Sequence, residues 1–220
     1  MTNDMGFHTY SKLYKCCVLP VLNYSVCVWG TEETTYSVCK NIQNRAMRWY
    51  LGVHRFVALD GLYGDVGWLP LKISQQTEIV RFFNRLINMR NERLTKKIFL
   101  WGKALDGKWS NKVKTILRTV DMEASYIHNR VVDLETLKTV LLDKYKDEWK
   151  IAVTNKPKLR TFILFKDEYC TEKYLLYNLT KFERAIMAQF RLGILPIRVE
   201  TGRFRNEAVN ERLRILCERG

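Results

Sequence analysis

A chain of 220 residues, 47% apolar and with only 4 Pro, can close one substantial core or two small ones. Its 12% aromatic content argues against wholesale disorder. The 37 basic residues against 23 acidic ones leave +14, which selects polyanionic partners, nucleic acid ahead of an anionic membrane surface.

The pattern predicts an all-α or mostly α protein, an irregular multi-helix assembly. Thr9–Trp29 is expected to be a helix bent at Pro20, where a backbone donor is lost. Its apolar part, Cys16–Trp29, is about 14 residues long and falls short of the roughly 20 that a bilayer span needs, so it is expected to be buried. No small-residue cleavage pattern follows it. Thr35–Leu51 repeats Cys39, Ile42, Ala46 and Trp49 at helical spacing, and Gly52 supplies a left-handed end. His54–Leu69 is expected to be a loop punctuated by Gly61, Gly64 and Gly67, with Asp60 and Asp65 as caps or turn formers. Pro70 then suits a helix start.

The helix from there to about Arg90 has two clear sides. Ile79, Val80, Phe82, Phe83, Leu86 and Ile87 form the inward half, and Arg81, Asn84, Arg85 and Asn88 the outward half. Shorter helices are expected over Thr95–Trp101 and Ser110–Val120. Asp133 can cap a longer one reaching Val153, with Leu134, Leu137, Leu141, Tyr145 and Trp149 as its buried stripe. Thr180-x-x-Glu183 is a capping box. The helix it opens carries Phe182, Ile186 and Phe190 on one side, with Arg184 and Arg191 on the other, and Gly193 ends it. The expected division is a region over residues 1–120 and another over 121–220, with Lys156-Pro157-Lys158 as hinge.

Catalytic chemistry finds no footing. There is no Asp-Asp pair to hold two metal ions, and the Gly61-x-x-Gly64-x-x-Gly67 spacing is not that of a phosphate loop. Three His (His8, His54, His128) lie far apart, and the six Cys (Cys16, Cys17, Cys27, Cys39, Cys170, Cys217) form no C-x-x-C pair. These suggest buried reduced thiols in an intracellular setting, nucleus or cytoplasm, with no metal and no cofactor.

Charge is the more informative signal. Residues 81–118 hold 11 basic and 2 acidic groups, +9, against +1 for residues 1–80, 0 for 119–180 and +4 for 181–220. Phosphate binding wants several cations on one surface. Arg81, Arg85, Arg93, Lys96 and Lys97 are the candidate set, extended by Arg90, with Phe99 and Trp101 either stacking on bases or buried as core. A second set is Arg184, Arg191, Arg198, Arg203 and Arg205, whose forked groups suit phosphate oxygens or pair with Glu183, Glu200 and Glu207.

Five strings in fixed order carry a family resemblance: Leu13–Gly30 (LYKCCVLPVLNYSVCVWG), Asn41–Phe56 (NIQNRAMRWYLGVHRF), Arg93–Trp101 (RLTKKIFLW), Lys156–Lys166 (KPKLRTFILFK) and Arg191–Arg205 (RLGILPIRVETGRFR). Together they resemble the region downstream of the polymerase core in reverse transcriptases of LINE-type (non-LTR) retrotransposons. The resemblance implies a helical thumb-like part followed by a helical linker that leads toward a zinc knuckle. Of that knuckle only Cys217 is matched, Arg214 standing where the family has the first Cys, so no zinc site is expected. It also implies a segment that holds RNA or an RNA–DNA hybrid, without catalysis of its own, beside a polymerase palm as possible partner. The alternatives are a protein-interaction scaffold that docks on the palm, or a transposon relic with no selected role.

Overall fold

The computed structural model describes residues 5–30 and 32–195, and among them every regular element is helical. In chain order the α-helices are α1 (Phe7–Leu13), α2 (Leu19–Asn23), α3 (Val26–Trp29), α4 (Glu33–Leu51), α5 (Leu59–Val66), α6 (Leu71–Ile87), α7 (Leu94–Ala104), α8 (Lys108–Thr119), α9 (Glu123–Ile127), α10 (Leu134–Thr154), α11 (Arg160–Ile163) and α12 (Lys181–Arg191). The fold is mostly α, an irregular multi-helix assembly. It divides into two units that interleave along the chain: Met1–Tyr10, Arg45–Trp68 and Glu148–Gly220 form one, Ser11–Asn44 and Leu69–Asp147 the other. Residue 120 thus lies inside the second unit, and Lys156-Pro157-Lys158 inside the first.

In the second unit α6 is the central element. Ile79, Val80, Phe83 and Leu86 are buried along one side of it. They join Phe99 of α7, Val113, Ile116 and Leu117 of α8, Tyr126 of α9, and Leu137 and Leu141 of α10 in one core. The helical period of the sequence marks this side correctly. The outward side is less uniform than expected. Asn84 turns back to act as a surrogate peptide group, donating to Val132 O at 2.7 Å and accepting from Val132 N at 3.0 Å. Gln43 does the same at the start of α6, where its amide donates to Leu69 O and accepts from Leu71 N, each at 3.0 Å. A first-turn amide and the carbonyl before Pro70 are thereby satisfied without a conventional cap.

Where one helix over Thr9–Trp29 was expected, the chain forms a π-turn over Tyr14–Val18, in which Leu19 N–H donates to Tyr14 O. Pro20, lacking an amide hydrogen, occupies the second position of α2 directly after it. Ser25 then adopts a left-handed conformation (φ 53°) that separates α2 from α3. The expectation that Cys16–Trp29 is buried is overturned. Leu22 and Val26 are buried, whereas Cys16, Cys17, Val21, Tyr24 and Val28 are exposed, because α2 and α3 meet their neighbours along one edge. That edge is held by polar links: Asn23 to Ser74 Oγ (2.8 Å) and Trp109 Nε1 to Cys27 O (2.6 Å). None of the five described cysteines is buried, and all are free.

The first unit is built around α5, and here the sequence misleads most. The expected loop is a helix in which Gly61, Leu62, Tyr63, Gly64, Asp65 and Val66 are all buried. A helix covered on every side has no hydrophobic period, and its glycines look like loop punctuation. Their function is close approach. A Cβ on Gly64 would stand 2.5 Å from the Trp149 ring and 3.0 Å from Phe162. Gly64→Ala should therefore lower stability by about 1–3 kcal/mol through overpacking. A urea midpoint at or above the parent's would show that Trp149 yields freely. Gly67 ends the helix in the left-handed region (φ 64°), as Gly52 does for α4.

Two helix faces depart from expectation. On α4, Ile42 and Trp49 are exposed, and Gln43, Asn44, Met47, Tyr50 and Leu51 are buried instead. On α12 the capping box forms as expected, Thr180 accepting from Glu183 N while Glu183 accepts from Thr180 N. The helix is nevertheless turned inside out: Phe182, Ile186 and Phe190 are exposed, and Arg184, Ala188 and Arg191 face the interior.

Candidate nucleic-acid interface

The cations of residues 81–118 divide into two groups by what their side chains meet. Arg81 and Arg85, one helical turn apart on α6, are exposed, as are Arg90 in the connector, Arg93 at the N-cap of α7, and Lys97 on the next turn. Arg81 pairs with Glu78 at 2.5 Å. Among the described residues, no carboxylate lies within ion-pair distance of Arg85, Arg90, Arg93 or Lys97. The first turn of α7 has no acidic residue and no side-chain cap, so its free amides add positive partial charge at the same corner.

Most of the remaining cations have a partner within the chain, Lys96 and Lys103 on backbone carbonyls and Lys108, Lys114 and Arg118 in surface ion pairs. Lys96, adjacent to Lys97, is 5% exposed and points inward. Its Nζ donates to Leu86 O at 3.0 Å and Ile87 O at 2.7 Å, closing the C-terminal end of α6. Lys96 is therefore removed from the expected phosphate set: it is spent on carbonyls that would otherwise be orphaned. Lys103 serves α9 in the same way, donating to Tyr126 O at 2.5 Å and Asn129 Oδ1 at 2.8 Å. Burial, with Lys96 as a further cause, holds its ammonium below the usual lysine range. Lys108 pairs with Glu32, and both Lys114 and Arg118 pair with Glu123. The two candidate aromatics part ways: Phe99 is core, and Trp101 is exposed.

Of the second expected set, the two described members, Arg184 and Arg191, are buried. Arg184 is buried, its Nε donating to Tyr50 O at 2.8 Å and its guanidinium lying 4.1 Å from the Tyr50 ring centroid. Arg191 makes forked bonds to Asp65, Nε at 3.1 Å and Nη2 at 3.0 Å, and reaches Glu172 at 3.2 Å. Neither is offered to an outside phosphate, because both sit in contacts already satisfied. Arg198, Arg203, Arg205, Arg214 and Cys217 lie outside the described residues.

Around Arg191 lies a buried ion network that no local pattern of residues announces. Asp65, fully buried on α5, also accepts from Tyr174 Oη at 3.0 Å. Glu172 pairs with the buried Lys166 at 2.5 Å, and Lys166 donates to Cys170 O at 2.7 Å. Burial pushes the Asp65 carboxyl up, with Arg191 pulling the other way, and burial likewise holds the Tyr174 hydroxyl well above its ordinary value. The one local signal was an acid inside the otherwise apolar run Leu62–Leu69. Its partners lie more than 100 positions away.

Among the described residues no group of His, Cys, Asp and Glu is placed to hold a metal ion, and no helix is long and apolar enough to cross a membrane. No protein-family model, curated protein or solved structure matches the chain.

Proposed function

We propose that this chain holds RNA or an RNA–DNA hybrid, without catalysis of its own, as part of a LINE-type reverse transcriptase downstream of the polymerase core. The observation that carries the reading is the corner between α6 and α7. There Arg85, Arg90, Arg93 and Lys97 stay exposed and unpaired while neighbouring cations are consumed in structural contacts. Arg81 extends this set along α6. Cations bracketing a helix start, with unoccupied amides between them, suit successive phosphates and read no sequence. The five strings that resemble the LINE-type family suggest the class of polyanion.

The test is a salt titration of fluorescence anisotropy on a short RNA–DNA hybrid. The parent should show log K falling with log salt at a slope of several units. Replacing Arg85, Arg90, Arg93 and Lys97 together by Ala should remove about 3–4 units of that slope. A slope near zero in the parent, or one unchanged by the quadruple replacement, defeats the reading.

A second reading, a scaffold docking on the polymerase palm, draws on the exposure of Val21, Tyr24 and Val28 along α2 and α3. On this reading, co-expression with a palm domain raises soluble yield and shields those three side chains. Yield and shielding that do not respond to the palm leave the hybrid-binding reading alone.

A further inference from the structure

Helix α7 presents a second feature, an apolar stripe beside the cations assigned above to phosphate, so that an acidic partner and a nucleic acid would compete for Arg90, Arg93 and Lys97. Leu94, Ile98, Trp101 and Leu105 are spaced four, three and four apart, and they are 71%, 56%, 67% and 62% exposed. That spacing places them in one stripe about 16 Å long. The opposite side of the same helix sends Lys96 and Phe99 into the core, so the stripe is the face that the core leaves uncovered. An apolar line at alternating four- and three-residue intervals is the pattern by which one helix receives another.

We propose that this stripe is a docking surface for an amphipathic helix of a partner protein whose apolar side is flanked by carboxylates. The acidic character follows from charge. α7 contains no acidic residue. Lys97 sits three positions after Leu94 and four before Trp101, directly beside the stripe, and Arg93 and Arg90 lie at its leading end. None of these three cations has an acid within reach among the described residues. A partner bringing Glu or Asp to its flanking positions would pair with them. A second copy of this chain would bring the same cations face to face, which argues against self-association. A single nucleic-acid strand is also a poorer occupant. Bases stack on aromatic faces, and only Trp101 of the four offers one.

The probe is a pair of synthetic helical peptides of about 21 residues with Leu at the a and d positions, identical except for Glu or Lys at the flanking positions. Binding to the full chain is followed by anisotropy of a fluorescein label. The Glu peptide should bind at least roughly tenfold more tightly than the Lys peptide, with the advantage shrinking as salt rises. The double variant Ile98→Ser with Leu105→Ser removes apolar surface without changing charge. It should weaken the Glu peptide by about tenfold or more while leaving the circular dichroism and the affinity for an RNA–DNA hybrid unchanged. Equal binding of the two peptides would mean unspecific adhesion and would overturn the proposal. Loss of hybrid binding in the double variant would overturn it too, by assigning the stripe to nucleic acid. So would a parent that sediments as a dimer while the variant sediments as a monomer. The inference does not depend on the hybrid-binding reading: a chain that takes the Glu peptide and ignores the hybrid leaves it standing.

Discussion

Asp65→Ala is expected to cost the fold about 3–5 kcal/mol, because it removes the forked carboxylate partner of the buried Arg191 guanidinium and leaves Glu172 as its one remaining acid among the described residues. Arg191→Met should cost a similar amount by stranding the carboxylate. The two losses should not add. With both charges gone, the double variant keeps the surrounding rings of Phe162 and Tyr174, 5.7 and 5.6 Å from the Arg191 guanidinium in the parent, and Glu172 keeps Lys166 as its partner. Its deficit should be smaller than the sum by at least about 2 kcal/mol, read from urea or thermal unfolding of the four proteins in one cycle. Additive losses would show that Asp65 and Arg191 act separately, Asp65 through Tyr174 and Arg191 through Glu172. Most natural domains have only about 5–15 kcal/mol of stability, so either single change approaches loss of the folded state.

That network also explains which parts of the fold were legible in the sequence. α6 was, because Ile79, Val80, Phe83 and Leu86 recur at the helical period and face a core of apolar and aromatic side chains from α7, α8, α9 and α10. The capping box at Thr180 and the left-handed ends at Gly52 and Gly193 were legible because each depends on a few adjacent residues. α5 and α12 were not. Pattern reasoning assumes that charge faces water. It fails where Arg191 finds Asp65 at a separation of 126 positions and Arg184 finds Tyr50 O at 134. Once two arginines turn inward, Phe182, Ile186 and Phe190 are carried outward by the geometry of the helix. Gln43 misleads in the same way on α4, since a buried amide that replaces a peptide group looks polar in sequence and is core in structure.

The candidate interface was half legible, and Lys96 and Lys97 mark the dividing line. They are adjacent, chemically identical and equally plausible phosphate ligands by sequence, yet successive helical positions are rotated by about 100°. Lys97 consequently faces solvent while Lys96 reaches two carbonyls at the end of α6. Their replacements should diverge accordingly. Lys96→Met keeps most of the aliphatic stem and deletes the ammonium, which stands 5.8 Å from the Phe99 ring centroid and makes the charge-assisted bonds, leaving Leu86 O and Ile87 O short of a donor. It should lower stability by about 2–3 kcal/mol. At a temperature where the variant remains folded, the salt slope for an RNA–DNA hybrid should be unaltered. Lys97→Met should leave stability within about 0.5 kcal/mol of the parent. Its salt slope should fall by about 1 unit. The comparison needs only an unfolding curve and a salt titration for each protein. If Lys97→Met destabilises the fold as much as Lys96→Met, Lys97 too has a structural duty. If instead Lys96→Met is the variant that lowers the slope, its ammonium leaves the α6 carbonyls for phosphate when the hybrid binds. Either result would require the phosphate-facing set to be redrawn around different side chains.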